Sequence, residues 1–291
     1  MDKLLPPIEY DPNTFLRQHC KLPILPALLN RIQGIINSDD MDIEKVAELI
    51  SADPGLVAEV LKVVNSAYYG LPREIVDVRL AIAYLGLHEV HRLVLCQSAV
   101  STPAMEDKDE LNHLRFHSLH TALCTKYLSK KYEPQLSLEE LWSAAILHDV
   151  GKLIYLKFFP DHYKALKRYS KELGCLFSEA ERHFSLPSSS IFGTLLCYHW
   201  KLPDKIRDAC ESHGLKGLLN LESDNPSGSF TRMICSGNLM ANLSNEELHD
   251  SAILEVVKAI RASLNLAESE FMAIMEDIKG FKGDVEKFNP E

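Results

Sequence analysis

The run AAILHDVGKLIYL, residues 144–156, sets a histidine and an aspartate side by side within an otherwise apolar stretch. A buried carboxylate is costly unless a partner is held against it, so His148 and Asp149 call for further polar groups nearby. Imidazole and carboxylate together suit first-row divalent metals such as iron, manganese or zinc. Adjacent on one helix, the two side chains point about 100° apart and could converge on an ion lying between those directions. LRFHSLHTALCTKYL (114–128) supplies His117 and His120 one turn apart, and ESHG supplies His213. Lys152, one turn beyond His148, is placed to meet a phosphate, and Gly151 leaves room for close approach of backbone or ligand. The same residues admit a plainer reading. Asp149 could accept a bond from His117 in a metal-free polar cluster held by charge-assisted bonds. His120 would then be a neighbour, and Lys152 would lie along a helix end with its ammonium in water. His88, His91 and His199 sit beside apolar positions and read as structural or surface residues.

Positioning these groups falls to helices. IEKVAELISADPGLVAEVLKVVN (43–65) spaces its apolar residues at three and four, interrupted once at Asp53-Pro54. Asp53 is expected to cap a second helix whose first turn holds Pro54. VRLAIAYLGLHEVHRLVL (78–95) reads as two helices meeting near Gly86. Ser137 with Glu140, and Ser244 with Glu247, have the spacing of capping boxes, and Pro203 opens PDKIRDACESH. In NSAYYG (65–70), Asn65 and Ser66 end a helix and Tyr68 and Tyr69 dock on the next one. No run alternates with period two, so strands are not expected. ESDNPSGS (222–229) is the best linker candidate, and STPAMEDKDE (101–110) a second break. The predicted architecture is all-α in two lobes: an N-terminal helical lobe at 1–105 and a second helical bundle at 110–221. Residues 222–291 supply a linker and acidic helices packing on that bundle.

The chain of 291 residues carries a net charge of −10, and residues 245–291 hold 11 acids against 5 bases. Without a basic cluster it is a poor electrostatic match for phosphate backbones, so nucleic acid is not expected as a partner. No apolar stretch approaches the ~20 residues of a membrane span, and the N-terminus is too short and acidic for a signal peptide. The seven cysteines form no CxxC pair and read as reduced, buried small hydrophobes of a cytoplasmic protein.

HS at 117–118 followed by AILHDVGKL at 145–153 resembles the HD superfamily of metal-dependent phosphohydrolases. LPILP (22–26), DPGL (53–56), NSAYYG (65–70), AIAYLG (81–86) and FGTLLCYHWKLP (192–203) are similar to the HDOD family, the HD-related output domain of bacterial signalling proteins. The likeness runs over about residues 15–215. It implies metal-ligand positions at His117, His148 and Asp149, and a lysine after the doublet at Lys152, the one candidate for a catalytic role. His213 falls where the family often has a paired histidine, with Gly214 in place of the second. Two departures stand out. Ser189 occupies a position usually held by histidine, and Asn238 aligns with the family's late aspartate. Asparagine offers a neutral oxygen in place of a charged one, and serine removes a nitrogen that would help hold a second metal. The resemblance thus implies no cofactor or a single weakly held divalent ion, with His213 and Asn238 as weak candidate ligands. It implies a bacterial regulatory module, non-catalytic, that works through a signalling protein partner and a small nucleotide ligand. The alternative is a metal-dependent phosphohydrolase acting on a nucleotide or cyclic dinucleotide.

Overall fold

The structure, a computed structural model, describes residues 42–66, 69–99, 107–221, 226–245 and 248–287, with scattered positions before 42. Tyr68, Cys20 and the side chains of Cys96, His88 and His91 lie outside the described residues. Among the described residues every regular element is a helix, as the apolar spacing predicts. No helix among them is long and apolar enough to cross a membrane.

The first group of helices comprises α1 (Ile43–Ser51), α2 (Pro54–Val64) and α3 (Val78–Ala99). Asp53 caps α2, its Oδ1 accepting from the Leu56 N–H at 2.9 Å, and Pro54 fills the first turn. At the far end of α2, Asn65 forms a two-way clamp. Its Nδ2 donates to the Leu61 and Ile75 carbonyls, each at 2.8 Å, and its Oδ1 accepts from Ile75 N–H at 2.8 Å. This fixes the loop that carries the chain into α3. There Gly86, at φ 73°, breaks the helix into two halves, a backbone conformation that glycine adopts without steric cost.

The second group runs from α4 (Lys108–Tyr132) through α5 (Leu138–Leu147), α6 (Val150–Phe158), α7 (Pro160–Leu173), α8 (Phe177–His183), α9 (Ser189–Trp200), α10 (Asp204–Ser212) and α11 (Leu215–Leu219). It ends in α12 (Pro226–Ser244), α13 (Asp250–Leu264) and α14 (Glu268–Lys287). Its spine is α4, which packs against both α5 and α12. The α4–α12 crossing is close because Gly237 lies on Thr125: a Cβ at 237 would stand 2.2 Å from Thr125 Oγ1 and 2.9 Å from its backbone nitrogen. The α6–α9 crossing is closer still, since a Cβ on Gly151 would fall 1.8 Å from the Ser189 carbonyl oxygen and 2.8 Å from the Gly193 nitrogen. The room predicted at Gly151 is used by backbone. The C-terminal helix α14 packs on α4, with Tyr132 Oη donating to Glu270 at 2.8 Å.

Several local expectations are corrected. Ser137 does cap α5, accepting from Glu140 N–H at 3.3 Å, but the Glu140 side chain bonds Lys205 and does not reach back to the cap. Ser244 closes α12, its Oγ donating to Ala241 carbonyl at 2.9 Å; α13 starts later, at Asp250. The linker predicted at 222–229 is already helical from Pro226, and Ser229 donates to Glu133 across the bundle. At 226–229 tertiary packing overrides a turn-forming composition.

Candidate functional site

The His148-Asp149 doublet does not ride on one helix. It forms the corner between α5 and α6, with Asp149 at φ −103°, ψ 17°. The corner is stabilised by His148 itself, whose Nδ1 donates to the Ala145 carbonyl at 2.6 Å and so satisfies one of the free carbonyls at the end of α5. His213 repeats the device at the end of α10, Nδ1 donating to the Cys210 carbonyl at 2.9 Å. A carbonyl can only accept, so Nδ1–H is fixed in both rings. Each ring therefore turns its Nε2 toward Asp149.

Around that carboxylate five other groups gather. Its Oδ2 faces His117 Nε2 at 3.4 Å, His148 Nε2 at 3.2 Å and Lys152 Nζ at 2.7 Å. Its Oδ1 faces His213 Nε2 at 3.1 Å. Asn238 completes the cluster from α12: its Oδ1 lies 2.9 Å from His117 Nε2, while its Nδ2 donates to the His213 carbonyl at 2.9 Å. That second bond fixes which end of the amide points inward. Asn242, one turn on, donates to the same Oδ1 at 3.1 Å. The structure thus brings together His117, His148, Asp149, Lys152, His213 and Asn238. His120 is not among them; its Nε2 lies 3.3 Å from the Ile278 carbonyl on α14. His199 is exposed. Cys124, Cys197, Cys210 and Cys235 are buried as free thiols.

Burial would raise the Asp149 carboxyl, but the Lys152 ammonium and the neighbouring imidazoles outweigh it and hold the group well below the usual carboxylate range. The ring of His117 goes the other way: burial pushes it down to about 4, only partly opposed by Asp149, so it is neutral at pH 7. Inside this cluster two buried atoms, His148 Nε2 and Asp149 Oδ1, lack a hydrogen-bond partner among the described residues. They lie at ion-pair distances from neighbours but without hydrogen-bond alignment. Burying such atoms without partners is expensive. Imidazole nitrogens beside a carboxylate suit a single first-row divalent ion. His117, His148 and Asp149 supply ligand atoms that all lie within 4.8 Å of one another. By this test the residues fit one ion. A second ion finds no imidazole at Ser189, whose backbone N–H instead donates to Glu181 at 2.7 Å.

The site opens on a cavity of about 1420 Å³ lined by α4, α7, α8, the start of α9 and α12. Glu181, which sequence reading passes over, is a buried acid in that wall whose carboxyl is raised, chiefly by burial. Asn242 is likewise missed, although its spacing of four from Asn238 puts both amides on one helix face.

The sequence model of the HDOD domain matches residues 22–214, about two thirds of the chain, and the chain belongs to that family. A curated relative, an uncharacterized protein of Treponema pallidum, is 25% identical over 192 residues, 66% of this chain and 37% of its own length. The chain therefore spans little more than a third of that relative. Among solved structures, the MmoQ response regulator of Methylococcus capsulatus superposes with a TM-score of 0.66 at 20% identity, covering 88% of this chain and 98% of its own. A virulence factor of Campylobacter jejuni gives 0.66 at 18% identity over 93% and 96% of the two chains. An HDOD domain protein of unknown function from Geobacter sulfurreducens gives 0.50 at 24% over 95% and 97%. These likenesses establish the shared fold.

Proposed function

We propose that the protein is a signalling module of bacterial cytosol, in which the HD pocket binds a ligand without turning it over and the surrounding helices present a surface to a protein partner. In this reading α1–α3 form an N-terminal lobe, and α4–α11 with the C-terminal helices form the HD-like lobe. The observation that carries the reading is the charge and ligand count at Asp149. One carboxylate serves the whole cluster, Asn238 is neutral, and Lys152 already lies on Oδ2. Two-metal hydrolysis needs a pair of ions to activate water and neutralise a leaving phosphate, and this set offers ligands for one. A bound ion would be held by His117, His148 and Asp149, with His213 and Asn238 beside them, and would supply a Lewis-acidic centre for anchoring an anionic ligand. Membership of the HDOD family supports a regulatory role, as does the fold shared with a protein described as a response regulator.

The test is turnover. Protein loaded in turn with manganese, iron and zinc is assayed against bis-p-nitrophenyl phosphate and a cyclic dinucleotide. No hydrolysis above the metal blank is expected. Robust hydrolysis abolished by Asp149→Ala would establish the hydrolase alternative instead.

A further inference from the structure

Lys152 occupies an unusual place. Its ammonium is 2.7 Å from Asp149 Oδ2, the carboxylate oxygen that His117 Nε2 and His148 Nε2 also face. One turn of α6 fixes this reach, since residues 149 and 152 stand three apart and Lys152 N–H donates to the Asp149 carbonyl at 2.9 Å. The side chain is only 16% exposed, so the ammonium is held in the cluster and not merely near it. A divalent ion bound by His117, His148 and Asp149 would need the same oxygen. Two cations on one buried carboxylate oxygen repel strongly where the local dielectric is low.

Resting on the reading that this pocket holds at most one ion, we infer that Lys152 is a tethered cation that takes the ion's place on Asp149, so that metal binding and the Lys152–Asp149 pair exclude one another. Without metal, Lys152 neutralises the one carboxylate of the cluster and keeps the pocket assembled. When an ion binds, the ammonium swings off Oδ2 toward the cavity. The surroundings can receive it. The Phe177 ring centre is 5.2 Å from Nζ, and Glu181 lines the same cavity wall with Lys152. Two consequences follow. The site loads metal only against the cost of displacing its own cation, which sets a threshold for occupancy. Loading also moves a positive charge into the cavity, and this gives the pocket two electrostatic states.

The experiment measures Mn2+ and Zn2+ binding by calorimetry to the chelator-stripped full chain, its Lys152→Met and Lys152→Gln variants, and a His148→Ala control that identifies heat from this site. Circular dichroism checks that each variant is folded. Both Lys152 variants are expected to bind at least tenfold tighter than wild type, the signal vanishing in His148→Ala. Equal or weaker binding by folded variants, or binding by none of the proteins, overturns the inference. A second measurement separates displacement from a mere field effect. Reductive methylation followed by peptide mass analysis reports how accessible Nζ of Lys152 is in wild type. Metal at saturation is expected to raise its labelling at least threefold, and no rise would overturn displacement. Turnover is read separately: hydrolysis with tighter-binding variants would defeat the proposed function alone, and equal affinities without hydrolysis would defeat this inference alone.

Discussion

Replacing Asn238 with aspartate would add a second carboxylate 2.9 Å from His117 Nε2 and close to Asp149. With metal the extra charge neutralises the ion; without it two buried like charges face each other. The new oxygen would also confront the His213 carbonyl, which now accepts from Asn238 Nδ2. Asn238→Asp is therefore expected to bind Mn2+ at least tenfold tighter by calorimetry. In chelator the same variant should be less stable than wild type by roughly 1–3 kcal/mol in urea unfolding. The His117 ring makes a different prediction. Its folded pKa of about 4 lies below the unfolded value near 6.5, so between these the unfolded chain binds more protons. Stability from the neutral ring is complete above pH 6.5 and is lost as pH falls toward 4, by up to about 3 kcal/mol. Asp149, held below its unfolded pKa, contributes its own loss only under about pH 4. Urea unfolding of metal-free protein at pH 7, 5.5 and 4.5 should show the decline, and His117→Asn should flatten it.

Helices meet in this protein where side chains are missing, and that places strong demands on two glycines. A methyl group at 151 would lie 1.8 Å from the Ser189 carbonyl, a backbone atom of α9 that cannot swing aside. Gly151→Ala is expected to cost more than about 4 kcal/mol or to leave no soluble protein, read by expression and thermal melting. Local signals such as the Asp53 cap, the Pro54 start and the break at Gly86 are legible in the sequence because each is decided within four or five residues. Gly151 is visible as a glycine, but its partner is 38 residues away and nothing near it says which backbone it must admit. Ser244 shows the converse: the spacing to Glu247 suits a helix start, yet the residue closes α12. The site divides in the same way. His148, Asp149 and Lys152 form a pattern within five residues, and His117 lies one helix earlier. His213 reaches the carboxylate from the end of α10 and Asn238 joins through His117 from α12: the motif ESHG offers the histidine without saying what it meets, and only the family likeness points to Asn238. Asn242 and Glu181, which position amide and backbone groups behind the cluster, carry no such signal.

At the scale of the molecule the question is how the first three helices are joined to the helix that carries the site. Trp142 Nε1 donates to the Ser51 carbonyl at 3.0 Å, and Val78 N–H donates to Ser143 Oγ at 3.3 Å. The exposed chain of charges from Glu44 through Arg79 to Glu139 should contribute little. Between Asp53 and Arg115 lies a tie of another kind. Arg115 Nε is 3.0 Å from Asp53 Oδ2, and both residues are at most 2% exposed. Asp53 is the cap of α2, and Arg115 stands on α4 two residues before His117, so the pair joins the N-terminal helices to the site helix through a buried charge. Burial raises the Asp53 carboxyl against the pull of Arg115, and among the described residues neither Asp53 Oδ2 nor any of the three guanidinium nitrogens has an aligned hydrogen-bond partner. Such a pair adds little net stability, but removing one member strands the other. Arg115→Met should therefore cost about 3–5 kcal/mol in urea unfolding, and Asp53→Asn, which keeps a capping oxygen, should also be costly. The double variant should recover to within roughly 1–2 kcal/mol of wild type, because no buried charge is left unpaired. Additive losses in that cycle would mean that Asp53 and Arg115 act independently, and that the N-terminal helices are joined to α4 by packing alone.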